Sequence, residues 1–170
     1  MNIFLIGFMG SGKTTAGKKL ASRMKYRYID LDTWIEEQEK MSIKDLFEKK
    51  GETYFRNQES KYLRETAHYK ECVISTGGGA PCFFDNMDYM NKHGVTVYLK
   101  LEPNQLFSRL KNEKTERPLI KSKKDTELLE FIKQKLKERE EYYKQAHWII
   151  DGYNLNISNL YNKIRGHSGQ

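Results

Sequence analysis

The sequence predicts an α/β protein, a three-layer α/β/α arrangement with a central parallel sheet of about five strands. Short apolar segments alternate with longer amphipathic segments along the 170 residues, as expected for strands joined by crossover helices. The first apolar segment also runs directly into a glycine-rich turn and then into a helical pattern, and open parallel sheets bind ligands at such turns. The length fits one domain over residues 1–165, followed by a frayed tail at 166–170.

The apolar segments place the strands, and the intervals between them place the helices. We expect strands at 2–6, 26–32, 72–75, 95–101 and 147–151. We expect helices at about 14–24, 34–40, 42–51, 52–69, 85–92, 103–110, 125–145 and 158–165. Ser42 and Asp45 resemble a capping box, Gly51 is typical of a helix end, and Pro103 favours the first turn of a helix.

The composition indicates which kind of molecule the protein binds and where in the cell we expect it. The net charge of +7 indicates an anionic partner, either nucleic acid or a small phosphorylated or carboxylated molecule. Seven basic and two acidic residues lie between 109 and 124, in a segment that reads as a mobile loop. No apolar run approaches the length of a membrane span, and the start of the chain shows no signal peptide. Cys72 and Cys82 have no metal-ligand or redox spacing, so we expect reduced thiols and a cytoplasmic location.

The glycine-rich turn carries the strongest functional signal. Gly7 is followed after four residues by Gly12, Lys13 and Thr14, which is the phosphate-binding loop pattern. Glycines, here including Gly10, let several backbone N–H groups converge on phosphate oxygens, and the following helix directs its positive end at the anion. Lys13 is expected to reach the β- and γ-phosphates and Thr14 to ligate Mg²⁺. The alternative is a turn that binds nothing, but a chance match in a chain of this length is on the order of one per cent.

Acidic residues end the second predicted strand. Asp30 and Asp32 are two apart, so on a strand they would point to the same face, into the crevice above the strand ends. The alternatives are a carboxylate in a strand-end turn for Asp30 and a helix cap for Asp32.

Two further patterns lie in the middle of the chain. Arg56 and Glu59 are three residues apart on a predicted helix, so they can pair and orient the guanidinium; alone, such a pair would read as a surface ion pair. Three consecutive glycines, Gly77, Gly78 and Gly79, follow the third strand. Because glycine is costly in chain entropy, we expect this backbone to lie against a ligand.

Six patterns in order resemble the shikimate kinase family, and the resemblance extends from Asn2 to about Ile164. They are the phosphate loop, Asp30 with Asp32, Phe55-Arg56 with Glu59, Gly77-Gly-Gly-Ala80, Arg117-Pro-Leu119, and Arg139 with Tyr143. The resemblance implies a P-loop kinase fold similar to the nucleoside monophosphate kinases, with a substrate-binding helical segment at about 32–60 and a mobile lid at about 112–124. Family members phosphorylate the 3-hydroxyl of shikimate with MgATP, in the pathway to chorismate and the aromatic amino acids.

The resemblance also implies a role for each matching residue. Catalysis would rest on Lys13, Asp32 and Arg117. ATP would contact Gly10, Ser11, Gly12, Lys13, Thr14, Thr15, Arg109 and Arg117. Shikimate would contact Asp32, Phe47, Phe55, Arg56, Glu59, Gly77, Gly78, Gly79 and Arg139. Mg²⁺ would be held by Thr14 and, through water, by Asp30.

The residue chemistry agrees with these roles, because phosphoryl transfer needs positioning and charge stabilisation more than covalent help. Two features differ from a generic P-loop enzyme. Ser75 and Thr76 stand where an Mg²⁺-binding Asp commonly follows the third strand, and Arg109 with residues 152–156 only loosely specify an adenine site.

We expect a monomer that binds small molecules and neither nucleic acid nor membrane. The alternatives are a gluconate or nucleoside monophosphate kinase, or a non-catalytic nucleotide-dependent module that uses its basic surface on nucleic acid.

Overall fold

A computed structural model describes residues 1–113 and 124–167. In these residues five parallel strands form one sheet in the order β2-β3-β1-β4-β5. Their bounds are Asn2–Ile6 for β1, Arg27–Asp30 for β2, Cys72–Ser75 for β3, Gly94–Lys100 for β4 and Trp148–Asp151 for β5. The predicted fold class is therefore confirmed.

Helices connect the strands in the predicted order. They are α1 at Lys13–Met24, α2 at Leu31–Glu39, α3 at Ile43–Ala67, α4 at Asn86–His93, α5 at Pro103–Asn112, α6 at Asp125–Tyr143 and α7 at Ile157–His167. A single 3₁₀ turn at Ala80–Cys82 precedes α4. Gly51 has a φ of +84°, so α3 consists of two helical pieces joined by a kink, at the residue where the sequence predicts a helix end. Ser42 caps the first piece by accepting a hydrogen bond from the Asp45 N–H at 3.1 Å.

Apolar residues cover both faces of the sheet. Along β1, Phe4 and Ile6 belong to one buried cluster and Ile3 and Leu5 to the other, as the alternation of a strand requires. The first cluster includes residues of α2, α3, α4, α5 and α6, and the second includes residues of α1 and α7. Helices thus pack on both faces, which leaves the strand ends as the places where polar groups gather. In the described residues, no helix has the length and apolar character needed to span a bilayer.

The end of β2 corrects one prediction. The strand stops at Asp30, and Asp32 lies in the first turn of α2, so the two carboxylates do not share a strand face. The helix begins early because the Asp30 carboxylate caps it, accepting a hydrogen bond from the Thr33 N–H at 3.2 Å. Asp30, and not Asp32, is therefore the helix cap.

The end of the chain corrects the predicted frayed tail at 166–170. The last helix continues to His167, whose ring contacts Trp148 edge to face at 5.3 Å between centroids, so residues 166 and 167 are not part of a frayed tail. Residues 168–170, Arg117 and most of the predicted lid lie outside the described residues.

Candidate active site

The phosphate loop occupies the turn between β1 and α1. Gly10 and Gly12 have φ values of +79° and +91°, which side chains other than glycine rarely adopt. The Lys13 Nζ donates to the carbonyl oxygens of Gly7 and Phe8 at 2.7 and 2.9 Å, so its ammonium lies within the curve of the loop. The loop therefore has the shape and the charge that a polyphosphate requires.

A cleft of about 530 Å³ opens beside this loop at the carboxyl edge of the sheet. Many of the predicted site residues line it: Gly10, Gly12, Lys13, Thr14, Thr15, Asp30, Asp32, Gly77, Gly78 and Arg109. Sequence reasoning did not assign a site role to four other lining residues, Met9, Ser75, Thr76 and Glu113. The cleft thus brings the phosphate loop and the first two glycines of the run into one space.

A hydroxyl and a carboxylate face each other at one side of the cleft. The Thr14 hydroxyl donates to Asp30 Oδ2 at 3.4 Å, and both groups are hard oxygen ligands of the kind that Mg²⁺ prefers. Ser75 donates to the carbonyl of Lys13 at 3.1 Å and so helps to fix the start of α1. Within residues 1–113 and 124–167 no group of three or more acidic, histidine or cysteine side chains could form a metal cage. This corner fits an ion that takes few ligands from protein and the rest from phosphate and water.

The environment of Asp32 raises its affinity for a proton. Burial raises the pKa of this carboxyl to about 6, and repulsion from Asp30 adds to the rise, whereas Lys13 and Arg56 act in the opposite direction. At neutral pH the group is mainly ionised yet more basic than an ordinary aspartate. Such a group is suited to accept a proton from a hydroxyl.

Arg56 is fixed by a buried partner. Its Nη1 donates to Glu59 Oε1 at 2.8 Å, and its guanidinium lies 4.2 Å from the centroid of the Phe83 ring. Glu59 is fully buried, and its Oε2 has no hydrogen-bond partner in the described residues. Burial raises the pKa of Glu59 to about 7 although Arg56 lowers it. The ion pair predicted from the sequence is present, and it lies inside the site and not on the surface.

The three glycines lie where these charged side chains converge. A Cβ atom would lie 3.0 Å from Asp32 Oδ1 at Gly77, 3.0 Å from Arg139 Nη1 at Gly78, and 2.7 Å from both terminal nitrogens of Arg56 at Gly79. None of the three has a positive φ, so any preference for glycine here comes from the close side chains and not from backbone conformation. A side chain added at any of the three would make the facing carboxylate or guanidinium move.

Aromatic rings support the two guanidiniums. Arg139, on α6, lies 5.6 Å from the centroid of the Phe8 ring, which is fully buried. Phe55 is buried, whereas Phe47 is 36 % exposed, and their ring centroids are 4.7 Å apart. Phe47 thus lies at the rim and Phe55 beneath it. Sequence reasoning missed Phe8 and Phe83; the signal for Phe8 was a large aromatic residue inside a glycine-rich loop.

The other side of the phosphate loop has a second cavity, of about 300 Å³. Arg109 donates to the carbonyls of Gly10 and Gly152 at 3.3 and 3.4 Å, and its guanidinium is 5.9 Å from the Tyr153 ring. The structure therefore brings together the two segments that the sequence proposed as neighbours of the adenine.

A parallel sheet in this strand order, with a phosphate loop after its first strand and two arginines against the glycine run at the same edge, defines a P-loop kinase of a small acceptor. The family model described as shikimate kinase matches residues 9–166. The chain therefore belongs to the shikimate kinase family.

Relatives and solved structures agree with this assignment. A shikimate kinase of Bacteroides fragilis is 51 % identical over 149 residues, covering 88 % of this chain and 83 % of the relative. The crystal structure of a shikimate kinase from Bacteroides thetaiotaomicron has a TM-score of 0.92 at 42 % identity and covers 100 % of this chain and 99 % of its own. A shikimate kinase from Acinetobacter baumannii, solved in complex with shikimate, has a TM-score of 0.83 at 33 % identity and covers 98 % and 91 %.

Kinases of other acceptors share only the fold. A gluconokinase from Sinorhizobium meliloti has a TM-score of 0.58 at 14 % identity, covering 98 % of this chain and 91 % of its own. The gluconate alternative left open by the sequence therefore has a likeness in fold alone.

Proposed function

We propose that the chain transfers the γ-phosphate of ATP to the 3-hydroxyl of shikimate in the cleft at the carboxyl edge of the sheet. The observation that carries this proposal is the convergence of Arg56, Arg139 and Asp32 on the glycine run, next to the phosphate loop. Membership in the shikimate kinase family supports it independently.

Arg56 and Arg139 bind the carboxylate of shikimate. Their guanidiniums lie against adjacent glycines, Gly79 and Gly78, so one carboxylate can contact both. A planar guanidinium binds a carboxylate with two parallel hydrogen bonds, which a lysine cannot do. Phe47 and Phe55 support this face of the ring pocket.

Asp32 orients the attacking hydroxyl and accepts its proton. The raised pKa of its carboxyl, about 6, supports this role, because a stronger base takes a proton more readily at neutral pH. Lys13 stabilises the negative charge on the transferring phosphoryl group. Arg117, outside the described residues, stays a prediction from the resemblance for the same charge, as does the lid that carries it.

Thr14 and Asp30 would hold Mg²⁺, whose chemistry is to neutralise charge on the β- and γ-phosphates. The Thr14 hydroxyl oxygen lies 3.4 Å from Asp30 Oδ2, and both are the kind of oxygen that Mg²⁺ prefers, which supports this assignment. Ser11 and Thr15 join the loop in binding phosphate, and Arg109 binds on the adenine side. We also propose that the protein acts as a monomer with one domain, which includes the whole of α7 to His167.

The test is the rate of ADP formation with and without shikimate. We expect turnover that depends on shikimate, with gluconate and AMP giving no more ADP than buffer. An analogue with a ketone at position 3 is a sharper control, because it keeps the carboxylate but has no hydroxyl at the position that accepts phosphate. Shikimate giving no more ADP than buffer would refute the proposal, and steeply salt-dependent binding to RNA or DNA without turnover would favour a binding module.

A further inference from the structure

Two tyrosine rings contact each other at a tilt, one of them bonded to the glycine run, and they differ in what their hydroxyls contact. Tyr98 on β4 and Tyr143 on α6 are both fully buried, and their ring centroids are 5.0 Å apart. The Tyr143 hydroxyl donates to the carbonyl of Gly78 at 2.5 Å. The Tyr98 hydroxyl has no hydrogen-bond partner in the part of the chain that the structure describes. Only one of the two hydroxyls is therefore joined to the site.

The carbonyl that Tyr143 holds belongs to the peptide between Gly78 and Gly79. The described peptide bonds are trans, so fixing this carbonyl also fixes the plane of the peptide and the direction of the Gly79 N–H. A Cβ at Gly78 would meet Arg139, and one at Gly79 would meet Arg56. This peptide is thus the spacer between the two guanidiniums.

The same helix carries both Tyr143 and Arg139. Residues four apart on a helix lie on one face, so the hydroxyl and the guanidinium approach the glycine run from the same side. A rotation of the Gly78 peptide would move the surface against which Arg139 rests.

We propose that Tyr143 is a positioning residue for the acceptor's carboxylate. By holding the Gly78–Gly79 peptide it sets the spacing and orientation of Arg56 and Arg139. The proposal rests on the proposed function, since it concerns the carboxylate of the acceptor named there. It goes beyond that function by assigning the alignment of the two arginines to a fully buried side chain that bonds to the glycine backbone.

Tyr143→Phe and Tyr98→Phe form a matched pair, because each removes one buried hydroxyl from the same two contacting rings. We expect Tyr143→Phe to raise the KM for shikimate about five- to tenfold, the effect of about one hydrogen bond, and to leave the KM for ATP within about twofold. Tyr98→Phe should leave both constants within about twofold of the wild type. A double variant with Arg139→Lys should raise the shikimate KM by less than the product of the single effects, because both changes act on the same contact.

Three outcomes would overturn the proposal: no change in Tyr143→Phe, an equal rise for ATP and shikimate, or an equal rise in Tyr98→Phe. The increase in melting temperature on adding shikimate is a second measurement that needs no turnover. It should be smaller for Tyr143→Phe than for Tyr98→Phe, and an equal increase would count against the proposal. A wild type without shikimate-dependent ADP formation would refute the proposed function itself, whereas an active wild type with an unaffected Tyr143→Phe would refute only the positioning role.

Discussion

The carboxyl edge of the sheet buries ionisable carboxyls, whereas the polar side chains buried at the amino edge are neutral. At the carboxyl edge, burial raises the pKa of both Asp32 and Glu59, and one oxygen of Glu59 has no hydrogen-bond partner in the described residues. At the amino edge, Asn2 and Thr96 are buried and neutral, and their side chains bond to the surrounding backbone and side chains.

Asn2 shows how completely the amino edge is bonded. Its Nδ2 donates to the carbonyls of Ala67 and Tyr69 at 2.9 and 2.7 Å, and its Oδ1 accepts from the Cys72 N–H at 3.1 Å. The side chain thus joins the start of β1 to the end of α3 and the start of β3. A neutral network in which every hydrogen bond is made increases the stability of the folded protein. Buried charges that lack a full set of partners decrease it. The amino edge therefore stabilises the fold, and the carboxyl edge carries the proposed site.

Of the substitutions that distinguish the two edges, Lys13→Ala should have the largest effect, and the effect should be on activity. We expect kcat to fall on the order of 10³-fold, because the charge that stabilises the transferring phosphoryl group is lost. The melting temperature should change by only a few degrees, since Lys13 contacts the loop and lies outside both buried clusters. Coupled kinetics and thermal unfolding measure the two quantities. Lys133→Ala, an exposed lysine on α6, is the control, and a comparable loss of activity there would contradict the prediction.

Asn2→Leu should give the reverse pattern. It leaves the Cys72 N–H and two carbonyls without their partners, so we expect the free energy of unfolding to fall by about 2 to 4 kcal/mol. The kinetic constants of the folded protein should stay within about twofold, because the site lies at the other edge. Urea unfolding and steady-state kinetics test this. Asn162→Leu, on the exposed face of α7, should cost less than about 0.5 kcal/mol, and an equal cost there would count against the argument.

Arg56→Lys should affect one substrate only. A lysine keeps the charge but loses the planar fork, so we expect the KM for shikimate to rise about 10- to 100-fold while the KM for ATP changes little. Separate titrations of the two substrates measure the difference. Arg23→Lys on α1, where the arginine stacks on Tyr161 at 5.0 Å, should change neither constant. An equal rise in the KM for both substrates would show that Arg56 does not bind the acceptor.

The phosphate loop and the order of elements could be predicted because local spacing determines them. The glycines of the loop, the cap at Ser42 and the break at Gly51 each depend on residues close in sequence. The end of β2 could not be placed from its apolar pattern, because a cap at Asp30 stops the strand and starts the next helix.

Contacts across the chain set the rest of the site, and these leave little local signal. Phe83 lies under Arg56, and Tyr143 bonds to Gly78 65 residues away. The sequence marked the glycine run as unusual, but only the fold shows that four charged side chains lie close against it: Asp32, Arg56, Glu59 and Arg139.

The smallest effect should come from Glu59→Gln, and it depends on pH. The folded protein raises the pKa of Glu59 from 4.5 to about 7, so between these values the folded state binds more protons than the unfolded state. Stability from this group is therefore present at low pH and is lost as the pH rises through about 7. Glutamine does not ionise, so the variant lacks this loss.

We accordingly expect the melting temperature of Glu59→Gln, relative to the wild type, to increase by a few degrees between about pH 5 and about pH 8. Asp32 titrates in the same direction, and its charge adds to the rise in the pKa of Glu59, so the difference between the two proteins reports the coupled pair of carboxyls. Glu52→Gln, which removes an exposed carboxylate 3.5 Å from Arg56 Nε, should follow the wild type at every pH. If the difference in melting temperature between Glu59→Gln and the wild type is the same at every pH, Glu59 does not carry the buried charge. The same variant should bind shikimate more weakly, because a neutral amide holds Arg56 less firmly than a carboxylate does.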